Sequence, residues 1–96
     1  MTRDFVKGDI VKNFKRETVS EEQLEKEPNI YLYEIIGSAK YTDTGEKLML
    51  YKPLWDEEYS KEVNYIARPM DMFVSEVDYE KYPKIKQKYR FEKVED

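Results

Sequence analysis

The sequence predicts a mostly β domain with short helical insertions, a small, strongly bent SH3-like barrel of about five strands. Three observations predict it. Runs rich in Tyr, Ile and Val recur along the 96-residue chain, glycine, proline and Asn/Asp/Thr clusters stand between them, and the helix-like stretches are short and almost without apolar residues. A chain of this length accommodates one domain, taken as 1–96.

Gly8-Asp9 opens with a turn pair, and Ile10 to Phe14 then alternates, with Ile10, Lys12 and Phe14 on one side and Val11 and Asn13 on the other. Residues 17 to 29 change character. Ser20-Glu21-Glu22-Gln23 fits a capping box, helix formers follow, and Pro28-Asn29 stops a one- or two-turn surface helix. Ile30 to Tyr41 and Lys47 to Trp55 read as the strands of a hairpin. Asp43 and Thr44 suit the centre of a type I turn and Gly45 the left-handed position after it. That three-residue loop sets Thr42 opposite Glu46, Ala39 opposite Met49, Gly37 opposite Tyr51 and Tyr33 opposite Trp55. Tyr33, Ile35, Ala39, Tyr41, Met49, Tyr51 and Trp55 then share a face. Gly37 is the natural place for a kink or bulge, because strands this long with apolar residues on both sides bend. Val63 to Arg68 alternates as a further strand that Pro69 ends. Met70 and Phe73, three apart, can dip together from a single turn, Asp78 to Tyr82 reads as a helical turn closed by Pro83, and Lys88 to Val94 supplies the last strand.

Composition removes whole classes of chemistry. With neither cysteine nor histidine, disulfides, thiol catalysis, imidazole acid/base work and Cys/His zinc sites are excluded. No apolar run approaches the roughly 20 residues that span a bilayer, and Met1-Thr2-Arg3-Asp4 lacks the features of a signal peptide, so a cytoplasmic setting is expected. The net charge of −4 does not call for a cationic or a polyanionic partner, although basic residues gather in 1–16 and 84–90 and acidic ones in 17–27 and 56–62. The paired carboxylates Glu57 with Glu58 and Asp43 with Glu46 have spacing that any solvated loop offers. Asp56, Glu57, Glu58 and Glu62 lack the spaced oxygens and central glycine of a calcium loop. The three glycines stand singly at 8, 37 and 45, which leaves no phosphate-cradling loop. No catalytic residue, metal ligand or cofactor is assigned.

Aromatic residues carry the remaining information. Nine tyrosines exceed what a core of this size requires, and each buried one needs a partner for its hydroxyl. Tyr33, Tyr41, Tyr51, Trp55 and Tyr65 form either a core wall or an open aromatic groove. Arg68 stands at its rim, placed to clamp a carboxylate or phosphate or to pair with Glu46 or Glu62.

Specific strings point further. Gly8-Asp9-Ile10-Val11, Phe14-Lys15-Arg16-Glu17, Tyr33-Glu34-Ile35-Ile36-Gly37 with Ala39-Lys40, Thr44-Gly45-Glu46, Tyr51, Ala67-Arg68-Pro69 with Met72-Phe73, and Lys86-Gln87-Lys88-Tyr89-Arg90-Phe91-Glu92 together resemble a bacterial family of uncharacterised small proteins, domain-of-unknown-function family 1653. The chain departs from the family pattern at Asn13 and Tyr41, where relatives carry histidine, so any acid, base or metal-ligand role of those histidines is absent or altered here. The resemblance implies a compact, mostly β domain and brings no activity with it.

The expected function is that of a non-enzymatic binding or interaction module for a protein or peptide, presenting Tyr41, Tyr51, Trp55, Tyr65 and Arg68. The alternatives are single-stranded nucleic-acid binding through Lys12, Lys15, Arg16 and the Lys84 to Arg90 stretch, and a small enzyme built on carboxylates. No membrane role is expected. The chain is expected as a monomer or as a homodimer joined at an exposed edge strand.

Overall fold

The structure, a computed structural model, describes residues 5–55 and 65–94. Five antiparallel strands form one sheet in the order β4-β3-β2-β1-β5. They are β1 (Ile10–Asn13), β2 (Leu32–Tyr41), β3 (Glu46–Pro53), β4 (Ile66–Pro69) and β5 (Phe91–Lys93). A 3-10 turn (Phe14–Thr18) and α1 (Glu21–Lys26) lie between β1 and β2, and α2 (Met70–Phe73) follows β4 directly. The mostly β class and the five strands agree with the sequence. Closure does not: the described residues hold no ladder between β4 and β5, so the sheet is open. The acidic stretch 56–62, including Asp56, Glu57, Glu58 and Glu62, and the start of the expected Val63 strand lie outside the described residues.

Local chemistry explains most boundaries. Asn13 ends β1 because its Oδ1 accepts the Lys15 N–H, which turns Phe14 out of the strand and starts the 3-10 turn. Ser20 caps α1 by accepting the Gln23 N–H, and the helix buries none of its residues, as a polar insertion should. The Asp78 carbonyl accepts the N–H groups of Lys81 and Tyr82, which makes the expected turn ahead of Pro83.

The hairpin register differs from the expected one. Tyr41, not Thr42, pairs with Glu46, because the Tyr41 carbonyl accepts from both Thr44 and Gly45 and the loop takes four residues. Gly45 occupies the left-handed position at φ +78°. At Gly37 the expected bulge is present: Ile35 pairs with Tyr51 and Gly37 with Leu50, so Ile36 has no opposite number. Met49 therefore faces Ser38 rather than Ala39, Tyr51 faces Ile35 rather than Gly37, and Tyr33 faces Pro53 rather than Trp55. Cross-strand partners share a face, so Tyr33 and Ile35 stay with Tyr51 on the inner side, while Ala39 and Tyr41 move to the outer side with Leu48 and Glu46.

The inner face curls around rings. Val11, Ile35, Met49, Tyr51, Phe73 and Phe91 form the buried core, with Phe5, Tyr33, Ile66, Met70 and Val74 packed against it. Phe73 drops from α2 and stacks on Phe91 at 4.3 Å and 9°. Tyr51 meets Phe73, Phe91 and Tyr33 at 5.2, 5.5 and 5.1 Å in tilted or edge-on contacts. Such ring pairs add about 0.5–1.5 kcal/mol each beyond the area they bury. The curl brings opposite edges of the sheet together: the Arg68 guanidinium of β4 lies 5.6 Å from the ring centre of Phe91 in β5.

The two ends of the chain are tied by polar contacts. The Glu17 carboxylate accepts the backbone N–H groups of Lys86 and Gln87 at 2.9 and 2.7 Å. Gln87, 7% exposed, donates its side-chain amide to the carbonyls of Lys12 and Tyr89. Glu92 accepts from the N–H groups of Lys88 and Tyr89.

Candidate functional site

Of the five residues singled out in the sequence, folding brings two into direct contact. Arg68 donates from Nε to the Tyr51 hydroxyl at 3.0 Å. Register explains the meeting, since Arg68 pairs with Met49 and Ile66 with Tyr51, which makes Arg68 and Tyr51 diagonal neighbours on the inner face. At 2% exposure Tyr51 is a core residue that no ligand reaches, and its hydroxyl serves to hold Arg68. Trp55 packs at 5.1 Å on Tyr33 and 5.5 Å on Tyr31, one ring removed from Tyr51. Tyr41 is 48% exposed at the hairpin tip, and Tyr65 is 51% exposed just ahead of β4. A single face holding all four aromatics is therefore not made, because the bulge turns Tyr41 outward and the core absorbs Tyr51. Among the described residues Arg68 forms no ion pair, with Glu46 or any other carboxylate.

Arg68 instead lines a pocket of about 160 Å³ on the unclosed side of the sheet, bordered by β4 and by the residues entering β5. Phe14 and Phe91, both buried, contribute apolar wall. Tyr82 closes one side, its ring set edge-on to Phe14 at 4.8 Å. Arg90 is fixed by its backbone, which donates to the Ser75 carbonyl and accepts from the Phe14 N–H, both at 3.0 Å. Its side chain lines the pocket, and its Nε is buried without a hydrogen-bond partner. Leaving a charged donor in that condition costs about 1–3 kcal/mol or more. Lys15 and Lys81 complete the cationic lining, and among the described residues none of the four cations has an ion pair. Asp78 is the one carboxylate in the wall, and its Oδ1 is engaged by the Glu80 N–H. Asn13 is also in the wall, holding the 3-10 turn that carries Phe14 and Lys15.

Chemically the pocket offers two planar guanidiniums, two ammonium groups and a phenol, which is a donor set for an oxyanion. The described residues hold no group of three Asp or Glu suited to a metal ion. They also hold no helix long and apolar enough to cross a membrane. The sequence signalled Arg68 through its place at the end of an aromatic strand. Arg90 was legible only as one member of an alternating basic run, and Lys81 and Tyr82 carried no signal. What gathers them is contact between segments far apart in the chain.

The remaining basic positions are arranged differently. Lys12, Lys84 and Lys86 border an open depression together with Glu17 and Glu92, whose carboxylates are committed to backbone amides. Among carboxylates of the described residues, a pKa shift is resolved for Asp9 alone, and it is downward.

No curated protein and no solved structure matches the chain. A family model described as a protein of unknown function, DUF1653, matches residues 13–93, a span that contains the whole lining of the two-arginine pocket from Asn13 to Phe91, and the chain belongs to that family.

Proposed function

We propose that this chain is a non-enzymatic binding module that docks on a protein or peptide through an anionic group held between Arg68 and Arg90. The observation that carries the proposal is the buried Arg90 Nε without a partner, in a wall whose four cations form no ion pair among the described residues. A bound oxyanion supplies what that wall lacks. The volume, about 160 Å³, falls well below the roughly 300 Å³ at which pockets begin to enclose a whole small molecule, so the site takes one group of a larger partner. In this reading the curled sheet acts as an open SH3-like barrel that presents the pocket at its unclosed side. Tyr51 acts from behind by fixing Arg68, and Trp55 and Tyr65 provide outer contacts.

The test is an NMR titration of the labelled protein with acetate and with inorganic phosphate. Saturable amide shifts are expected around Lys15, Arg68, Lys81 and Arg90, and Arg90→Ala is expected to abolish them while leaving the circular dichroism melt close to that of the parent. Shifts that never saturate, or that survive Arg90→Ala, would sink the reading.

The nucleic-acid alternative draws on Lys12, Lys84 and Lys86, but Glu17 and Glu92 interrupt that surface. It predicts a mobility shift of single strands at about 50 mM salt, where phosphate contacts are strong.

A further inference from the structure

We propose that the group taken by the two-arginine pocket is a phosphate monoester in its dianionic form, carried by a phosphorylated side chain of a protein partner. This rests on the reading of the pocket as an anion site and specifies the anion.

Charge is the first argument. Lys15, Arg68, Lys81 and Arg90 contribute four positive charges to the lining and Asp78 one negative, a net of +3 before any ligand enters. Like charges gathered around so small a space repel, and the repulsion is relieved in proportion to the charge brought in. A carboxylate brings one negative charge. A phosphate monoester brings close to two at neutral pH, because its second pKa lies near 6.

Donor geometry is the second argument. A carboxylate has two oxygens, and one bidentate arginine engages both. This wall offers more than that. Arg68 is held by its Nε bond to Tyr51, and Arg90 carries the unpartnered Nε. Tyr82 adds a hydroxyl that makes no hydrogen bond within the described residues. Three terminal phosphate oxygens match a donor set drawn from separate directions, since Arg68 comes from β4, Arg90 from the approach to β5 and Tyr82 from the turn after Asp78.

The surroundings decide the carrier. A nucleic-acid strand needs cations continuing beyond the pocket, whereas the basic depression at Lys12, Lys84 and Lys86 shares no lining residue with it and is broken by Glu17 and Glu92. A volume of about 160 Å³ admits a phosphate group and leaves no room for a nucleoside beside it. A phosphorylated side chain projecting from a protein meets both conditions.

Calorimetric titration at low salt with phenyl phosphate, phenyl sulfate and benzoate tests the anion. Phenyl phosphate is expected to bind about tenfold more tightly than the two monoanions, a difference of about 1.4 kcal/mol. Its affinity is expected to fall between pH 7 and pH 5, as the ligand loses a charge near pH 6, while that of phenyl sulfate stays level. The protein has no histidine to confuse that window. Lys81→Ala, at an exposed position, and Tyr82→Phe, which keeps the ring that meets Phe14 and removes only the hydroxyl, are each expected to weaken phenyl phosphate several-fold with an unchanged melt. Equal affinity for all three ligands, or a level pH profile for phenyl phosphate, overturns the phosphate assignment and leaves the anion site standing. Failure of all three to bind overturns both. A phosphoserine peptide binding more tightly than adenosine monophosphate supports a protein carrier, and the reverse order overturns it.

Discussion

Asp9 shows how much a single residue organises at the edge of this fold. Its carboxylate accepts the Val6 N–H at 2.9 Å and lies 3.3 Å from the Lys93 ammonium, while its backbone carbonyl accepts the Ile35 N–H. The Val6 hydrogen bond holds its pKa below the ordinary value of 3.8, partial desolvation opposes this, and Lys93 adds to the lowering. A carboxyl depressed in the folded state gives stability that is present above its unfolded pKa and is lost as pH falls through its folded one. Asp9→Asn is therefore expected to be less stable than the parent at pH 6, with the gap closing below about pH 4 as the parent carboxylate is protonated. Urea midpoints measured against pH check this, and a gap independent of pH would refute it. Arg68 and Arg90 show what a sequence exposes at this scale. Arg68 stands out beside Pro69 at the end of an aromatic strand. The importance of Arg90 depends on Ser75 and Phe14, which hold its backbone from distant segments, and no local pattern announces them.

At the scale of elements, the strands and turns were legible because each rests on local chemistry: Ser20 at a cap, Gly45 at a left-handed turn position, Pro83 after a helical turn. Register was not. Thr42-Asp43 and Asp43-Thr44 suit the centre of a type I turn equally well, and Gly45 can take the left-handed position directly after the second pair or one residue beyond the first. One residue added to the loop and one spent in the bulge moved Tyr41 and Ala39 to the opposite face. The bulge makes its own prediction. Gly37 lies at φ +153°, and a Cβ built there meets nothing within 4 Å, so the cost of Gly37→Ala comes from the backbone alone. A loss of about 1 kcal/mol is expected in urea unfolding, and a neutral or stabilising result would show that the bulge does not need glycine.

At the scale of the whole molecule, stability is expected to be graded across the sheet. β1, β2 and β3 are paired on both sides and carry Val11, Ile35, Met49 and Tyr51, whereas β4 and β5 are paired on one side only. Hydrogen exchange should be slowest at Val11, Ile35 and Tyr51 and faster at Ala67 and Glu92, and uniform protection across all five strands would contradict this. The tie between Glu17 and the amides of Lys86 and Gln87 has a temporal meaning as well. It spans 69 and 70 residues, and it sits beside β1, whose second neighbour in the sheet is the last strand to be made. Closing so long a loop is slow, and nothing local substitutes for it. During synthesis the nascent polypeptide can assemble the hairpin early and set Phe73 against Tyr51, but the parallel stack of Phe73 on Phe91 waits until β5 leaves the ribosome, so the finished core forms only after that strand has been translated.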